Sequence, residues 1–425
     1  MREDLLHYIW KFGKLRTTGL VSTSNQKIVI LNPGKHNLLS GPDFFNARLE
    51  IDNQEWAGNV EVHLKASDWY AHRHEEDDNY NNIILHVVWT SDVAVFRKDR
   101  TEIPCLELCN FVPKTLLAAY QDLLNSDFSS FINCERNLPS VDKFLVSHWL
   151  ERLYFERLEE RSIDLEKLLR SIGNDWERLL FMLLLKNFGL KINGASFYSL
   201  AQALDYTIVQ RTRANPTQLE SVLFGMTGLL DTTDVKDIYF LRLKKEYAYL
   251  KRKFNLNASG VAPPEFFKLR PSNFPTIRLS QFASLYRKQN LFSTIIKASS
   301  RKKYEEIFDV SASKYWDQHY SFGRESPGRK KKISPKFIDL ILINTIIPLK
   351  FCYGRQRGEP VHEEIISLMA GLKSEENNII SNFRKLGISA RNAMQSQAIL
   401  QLYSSYCSIN KCLQCVIGTQ LLNGK

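Results

Sequence analysis

Apolar residues recur at helical spacing near the start of the chain and in alternating or short continuous runs soon after. Leu5, Leu6, Tyr8, Ile9, Trp10 and Phe12 make one apolar face, which predicts a short amphipathic helix over residues 2–15. KIVIL (27–31) reads as a strand and NPGKHN (32–37) as a turn. Phe44 to Ile51 alternates loosely, Asp52-Asn53-Gln54 carries turn chemistry, and Trp56 to Lys65 reads as the returning strand of a hairpin. On that strand Val60, Val62 and Leu64 share one face; Glu61, His63 and Lys65 share the other. The polar stretch Ser67 to Asn82 predicts a loop or short helix. NIILHVVW (82–89) is nearly all apolar, as in a strand buried on both faces, and residues 93–108 add more strand.

Helical periodicity takes over after about Leu138. Ser147 to Leu169, Trp176 to Phe188 and Asp234 to Phe254 read as helices, and Asn215-Pro216 begins another with Pro216 in its first turn. Prolines break the helical pattern from Val261 to Pro275, and residues 324–336 (RESPGRKKKISPK) read as a mobile basic loop. The expected fold class is α+β: a core of helix plus mixed sheet at 1–138, then a mainly helical basic part at 139–425. No internal repeat is visible.

Charge separates the two parts. Residues 1–140 carry 14 Lys+Arg against 19 Asp+Glu and hold six of the nine histidines, whereas the whole chain has a net charge of +11. A metal-dependent site draws on carboxylates and imidazoles; a polyanion-binding surface draws on Lys and Arg. A nuclease core beside a basic clamp would show this split, although two domains can also differ in charge by chance. The most apolar stretch, Phe337 to Leu349, contains Asp339 and Asn344 and falls short of the about 20 residues of a membrane span, so no membrane is expected as a partner. The N-terminus lacks the apolar region of a signal peptide. Seven cysteines, an odd number, fit a reducing cytoplasm.

The strongest constellation is Gly41-Pro42-Asp43 followed by Glu61-Val62-His63-Leu64-Lys65. Asp43 opens one strand of the hairpin and Glu61 lies on the other. Two acids so placed can hold a hard divalent cation such as Mg²⁺ or Mn²⁺. His63 and Lys65 can serve the attacking water and the phosphate. The alternative is an ordinary hairpin with solvated acids on its outer face. His72 and His74, two residues apart, can ligate a metal or contact phosphate, and Tyr80 lies nearby. A Zn²⁺ hydrolase built from His63, His72 and His74 is the competing chemistry, without an HExxH signature. His86, inside an apolar strand, reads first as a hydrogen-bonded core histidine.

Residues 1–110 resemble the PD-(D/E)XK nuclease superfamily. Pro42-Asp43 matches the first half of its motif, and Glu61-Val62-His63 the second, with His where Lys is usual and Lys65 further along the same face. That resemblance implies a metal-dependent nuclease, with an acid of the first helix, here Glu3, sometimes completing the site. Beyond this core, HYIWKF (7–12), SGPDFFNARLEI (40–51), GNVEVHLKASDWYAHRH (58–74), RPSNFPTIRLSQ (270–281) and YCSINKCLQCVIG (406–418) are similar to an uncharacterised bacterial family, the domain-of-unknown-function family 2851. The motif implies the nuclease grouping; the family resemblance adds no activity. A catalytically inactive nucleic-acid-binding or scaffold protein, and a metallohydrolase of another phosphorylated substrate, remain as other readings.

Two further features stand apart. Cys407, Cys412 and Cys415 make a compact triplet that needs a fourth ligand to close a zinc or iron–sulfur site, with Cys134 the first choice and Cys352 the second. Small buried core cysteines are the plainer explanation. In the helical part, Lys244, Lys245, Lys251, Arg252 and Lys253 crowd one helix with Tyr247 and Tyr249 between them, and Arg329, Lys330, Lys331 and Lys332 follow in the basic loop. Such residues can hold DNA or RNA backbone and stack on bases. Arg270 and Arg278 flank a proline-bracketed turn and read as structural. No base-reading motif and no Walker pattern is present, and protein partners are not indicated.

Overall fold

The computed structural model describes residues 1–37, 39–124 and 130–423. Its architecture is α+β. Two compact units divide the chain: residues 1–149, 385–387 and 402–425 form the first, and 150–384 with 388–401 the second. The sequence-drawn boundary at 138 lies close to the first division. It misassigns the last segment, because Cys412, Leu413 and Leu422 are buried in the same apolar cluster as Leu5, Leu6 and Ile9. A return of that kind depends on contacts about 400 residues apart, which no local pattern encodes.

Helix α1 (Glu3–Lys11) buries Leu5, Leu6, Ile9 and Trp10 and leaves Glu3 and His7 half-exposed. Strands β1 (Ile28–Asn32), β2 (Lys35–His36), β3 (Phe44–Ile51), β4 (Gln54–Lys65), β5 (Ile83–Thr90) and β6 (Cys105–Glu107) form one sheet ordered β1-β3-β4-β5-β6, with β2 also on β3. The β3–β4 turn places Asp52 at φ 50° and Asn53 at φ 65°. Both need the left-handed region, which Asn and Asp tolerate, and this is the geometry of a tight hairpin. β4 and β5 run parallel, linked through the short helix α2 (Asp68–Ala71). Residues 59–63 and 83–88 are buried throughout, as for central strands covered on both faces.

Val60, Val62, Leu85 and Val87 pack into the cluster that includes α1 and helix α3 (Lys114–Leu124). Val88 points the other way and packs with Ala66, Trp69 and Tyr80. Glu61 pairs with His86 across β4 and β5, and His63 with Val88. The period of two therefore puts three polar side chains into a covered layer. A bulge between Phe44 and Ala47 interrupts the β3–β4 ladder beside Asp43.

The division between the units falls within helix α4 (Lys143–Ser171). In the second unit, Asn215 caps the helix Pro216–Met226, and Asp237 caps Ile238–Phe254, whose side of Phe240, Leu243, Tyr247 and Leu250 is buried. The stretch Pro335–Arg357 is continuously helical over 23 residues, longer than the apolar pattern implied, and is by length and composition able to cross a membrane. Its most apolar window is 78% buried inside the protein, the environment of a core helix.

A carboxyl group is also buried here. Glu220 accepts hydrogen bonds from Ser280 and, at 2.6 Å, from Tyr239. Burial raises its pKa above the ordinary 4.5. Folded Glu220 thus keeps a proton that the unfolded chain has lost above pH 4.5. The stability it contributes is full below that pH and is lost as pH rises through the folded value. Urea unfolding of Glu220→Gln is expected to lack this decline, which amounts to at most about tenfold in the folding constant per pH unit. An unchanged pH profile in the variant would refute the assignment.

Candidate metal centre

Local geometry presents the two acids. Gly41 sits at φ 95°, which favours glycine, and precedes Pro42. The Asn37 side-chain amide donates to the carbonyl of Pro42 at 3.1 Å, and the Asn37 N–H to that of Asp43 at 2.7 Å. This fixes the entry to β3. The Asp43 N–H donates to Glu61 Oε2 at 3.1 Å, and the Val62 N–H to Asp43 Oδ2 at 3.0 Å. Each carboxylate is held by the other's strand. Glu61 is 4% exposed and so is not a solvated acid on the outer face of the hairpin, while the Asp43 side chain is 22% exposed.

Histidines surround Glu61. Its Oε1 lies 3.4 Å from His74 Nε2 and 3.6 Å from His63 Nε2. These separations are long for hydrogen bonds and are spanned readily by a shared cation. Ligand nitrogens of His63, His72 and His74 all lie within 4.8 Å of one another, and His72 is exposed, so the group opens to solvent. His63 Nδ1 is 2.9 Å from His86 Nε2, and His63 Nε2 is 3.1 Å from His72 Nδ1. His74 stacks on Tyr80 at 3.8 Å, and the Trp69 ring abuts both His74 and His86.

Burial and mutual repulsion set the charges. Burial, then the charge of Asp43, pushes Glu61 up to about 9. Burial, then His86, pulls His63 down to about 2, and burial, then His74, pulls His86 down to about 3. At neutral pH these imidazoles are uncharged and offer lone pairs, which is the ligand form. A cation among them would reverse the local pKa order and draw off the Glu61 proton.

Sequence reasoning passed over His7. Burial lowers its pKa, but the hydrogen bond and charge of Asp43 outweigh this and raise it; His7 Nε2 is 3.1 Å from Asp43 Oδ2. The available signal was Glu3 and His7 at i, i+4 on the helix face opposite Leu5 and Ile9. Glu3 joins the same region: burial raises its pKa, and His7, Asp43 and His72 are among the charges acting on it. Asp4 instead accepts from Tyr120 and pairs with Arg2. Lys65 does not join the group as expected. It is exposed at the end of β4, and its charge acts on Asp92. His86, read first as a core residue, is buried but touches His63 directly, the place of an outer partner that orients a metal ligand.

The model of the family described as Protein of unknown function (DUF2851) matches residues 3–378. The chain belongs to that family. No curated protein and no solved structure matches it. In this DUF2851 chain the matched region takes in α1, the whole sheet and all the histidines named above, but not the C-terminal cysteines.

The basic residues of the second unit divide by exposure. Lys245, Lys251, Arg252 and Lys253 are exposed on the helix Ile238–Phe254 together with Tyr249. Lys244 is half-buried and donates to the Thr232 carbonyl. Tyr247 is buried against Gly225, so it cannot stack on a base as the sequence pattern suggested. The segment expected to be a mobile loop is tied down. Lys331 is 5% exposed, donates to the Asp317 carbonyl at 2.7 Å and lies 4.2 Å from the Tyr320 ring centre. It is withdrawn from any polyanion surface. Lys332 pairs with Asp309, while Arg329 and Lys330 are exposed. Arg278 is structural, as read: buried, bonded to Gln281 and Asn273, and stacked over Phe337.

Proposed function

We propose that this protein is a metal-dependent phosphodiesterase acting on nucleic acid. The observation that carries the reading is the convergence of His63, His72 and His74 nitrogens within 4.8 Å beside the interlocked pair Asp43–Glu61. Expectation from the sequence was Mg²⁺ or Mn²⁺ between two acids. The nitrogen-rich donor set favours Mn²⁺ or Zn²⁺ over Mg²⁺, because Mg²⁺ prefers oxygen ligands and keeps its waters.

A divalent cation bound there would supply a water of lowered pKa and positive charge for a phosphoryl oxygen. Glu61 and the three histidines would hold it. His86 orients His63 through the 2.9 Å contact at Nδ1, so that Nε2 faces His72 and Glu61. His7, favoured in its charged form by Asp43, can balance phosphate charge or give a proton to the leaving oxygen. Exposed Lys245, Lys251, Arg252 and Lys253 suit binding of the backbone. The superfamily resemblance of residues 1–110 supports the same reaction class. A second reading, a zinc hydrolase of another phosphorylated substrate, draws on the same three histidines. A catalytically inactive nucleic-acid-binding or scaffold protein is the non-enzymatic reading.

The test is incubation of metal-free protein with labelled single- and double-stranded DNA and RNA, adding Mg²⁺, Mn²⁺ or Zn²⁺. Cleavage restored by Mn²⁺ or Zn²⁺ is expected, with the substrate naming the class. Metal binding without cleavage of any nucleic acid, but with hydrolysis of small phosphate esters, would favour the zinc hydrolase. Neither metal binding nor cleavage in folded protein would end both enzymatic readings.

A further inference from the structure

Three cysteines of one C-terminal segment lie beside the segment of Cys134 in the first unit, apart from the histidine group. Cys407 closes one turn, Cys412 opens the next, and Cys415 immediately precedes the C-terminal helix Val416–Asn423. Cys134 comes from 273 residues earlier and packs on the same apolar cluster as Cys412. The Asn133 side chain bridges the two segments, donating to Asn410 Oδ1 at 3.0 Å and to Cys412 Sγ at 3.5 Å. None of the four is in a disulfide.

The sulfurs sit among N–H donors. Burial raises the Cys415 pKa, and the nearby backbone N–H groups of Gly418 and Ile417 act against it. Several N–H groups aimed at one sulfur suit a thiolate, and such bonds commonly tune metal-bound cysteines. Gly418 is required by this turn, since a Cβ there would lie 2.1 Å from the Cys412 carbonyl oxygen. Burial is the largest influence on both Cys134 and Cys407 and raises their pKa; Cys412 and Cys415 act on each as neighbouring like charges. Two buried and two half-buried thiols within electrostatic reach of one another gain from a shared cation that deprotonates them. Cys352, the other candidate, lies in the second unit and contacts the Ser162 carbonyl.

The segment that carries three of these cysteines also holds α1. Arg2 donates to the Asn410 carbonyl at 3.2 Å, and Tyr8 OH to Asn423 Oδ1 at 3.0 Å. Leu413 and Leu422 bury against the α1 core residues. We propose that Cys134, Cys407, Cys412 and Cys415 ligate one thiolate-bound metal centre, zinc or iron–sulfur, which clamps the C-terminal segment onto α1 and so steadies Glu3 and His7. The inference does not depend on the phosphodiesterase reading.

The test uses the full chain purified without oxygen. In His63→Ala protein, where zinc on the histidine group is removed from the count, either about one zinc per chain is expected, or iron with an equal amount of acid-labile sulfide and visible absorption. Adding Cys134→Ser should lower that metal at least tenfold, whereas adding Cys352→Ser should leave it in place. Should Cys134→Ser not fold, Co²⁺ added to the wild type after chelation gives a second readout, since thiolate ligation is visible as charge-transfer absorption. Metal that survives loss of Cys134, or protein that takes up no thiolate-bound metal even on reconstitution with zinc or with iron and sulfide, overturns the proposal. Hydrogen exchange completes it: chelation should speed exchange in α1, and unchanged protection there would refute the clamp.

Discussion

Glu61→Gln, or alanine at any one of His63, His72 and His74, will lower metal-dependent phosphodiester cleavage by on the order of 10³-fold or more. In the proposed site, removal of one of four ligands would leave a cation with fewer bonds and an altered charge, so binding and chemistry would fail together. Glu61→Gln keeps the shape of the side chain and can keep the bond from the Asp43 N–H. It removes the negative charge that a divalent cation requires. His86→Ala should act more mildly, about 10- to 100-fold, because it only orients His63. Lys65→Ala should change little, since Lys65 is exposed at the strand end. Calorimetric Mn²⁺ and Zn²⁺ titrations beside the cleavage assay separate lost binding from lost chemistry. Equal activity in Glu61→Gln and wild type would remove the site from the mechanism.

The largest stability effect is expected at Trp69. Its ring is fully buried in the small cluster with Tyr80, Val88 and Ile103, and its face supports His74 and His86. Trp69→Ala leaves a large cavity directly beneath the histidines and should cost about 3–5 kcal/mol. Metal affinity should fall as well, because His74 loses the wall that sets its ring orientation. Trp69 Nε1 has no hydrogen-bond partner, so Trp69→Phe forfeits no bond and should be much milder. Chemical denaturation of both variants checks the ordering. A Phe variant as unstable as the Ala variant would mean that the ring itself is not what the site rests on.

Much of the core was legible. The apolar stripe of α1, the Asp52-Asn53 turn and the apolar run of β5 each carry their structure in a few adjacent residues. The acids Asp43 and Glu61 were legible for the same reason, since a period of two fixes which side chains share a face. The spacing of Cys407, Cys412 and Cys415 singled them out as a compact triplet, and exposed lysines were legible as a class. Individual members were not: Lys331 and Tyr247 fell inside because neighbouring elements cover them, a matter of packing rather than of charge pattern.

By itself, then, the sequence determined the α+β class, the hairpin and its turn, and the residue types from which a metal site can be made. Only the tertiary structure decided which of them meet. It buried Glu61 between strands and turned His7 from α1 towards Asp43. It set His86 behind His63 and brought the segment of Asn133 and Cys134 against that of Cys412. Local backbone preferences act over a few residues. Convergence of side chains from separate elements depends on which surfaces the whole chain can bury together, and that is settled only when distant segments pack.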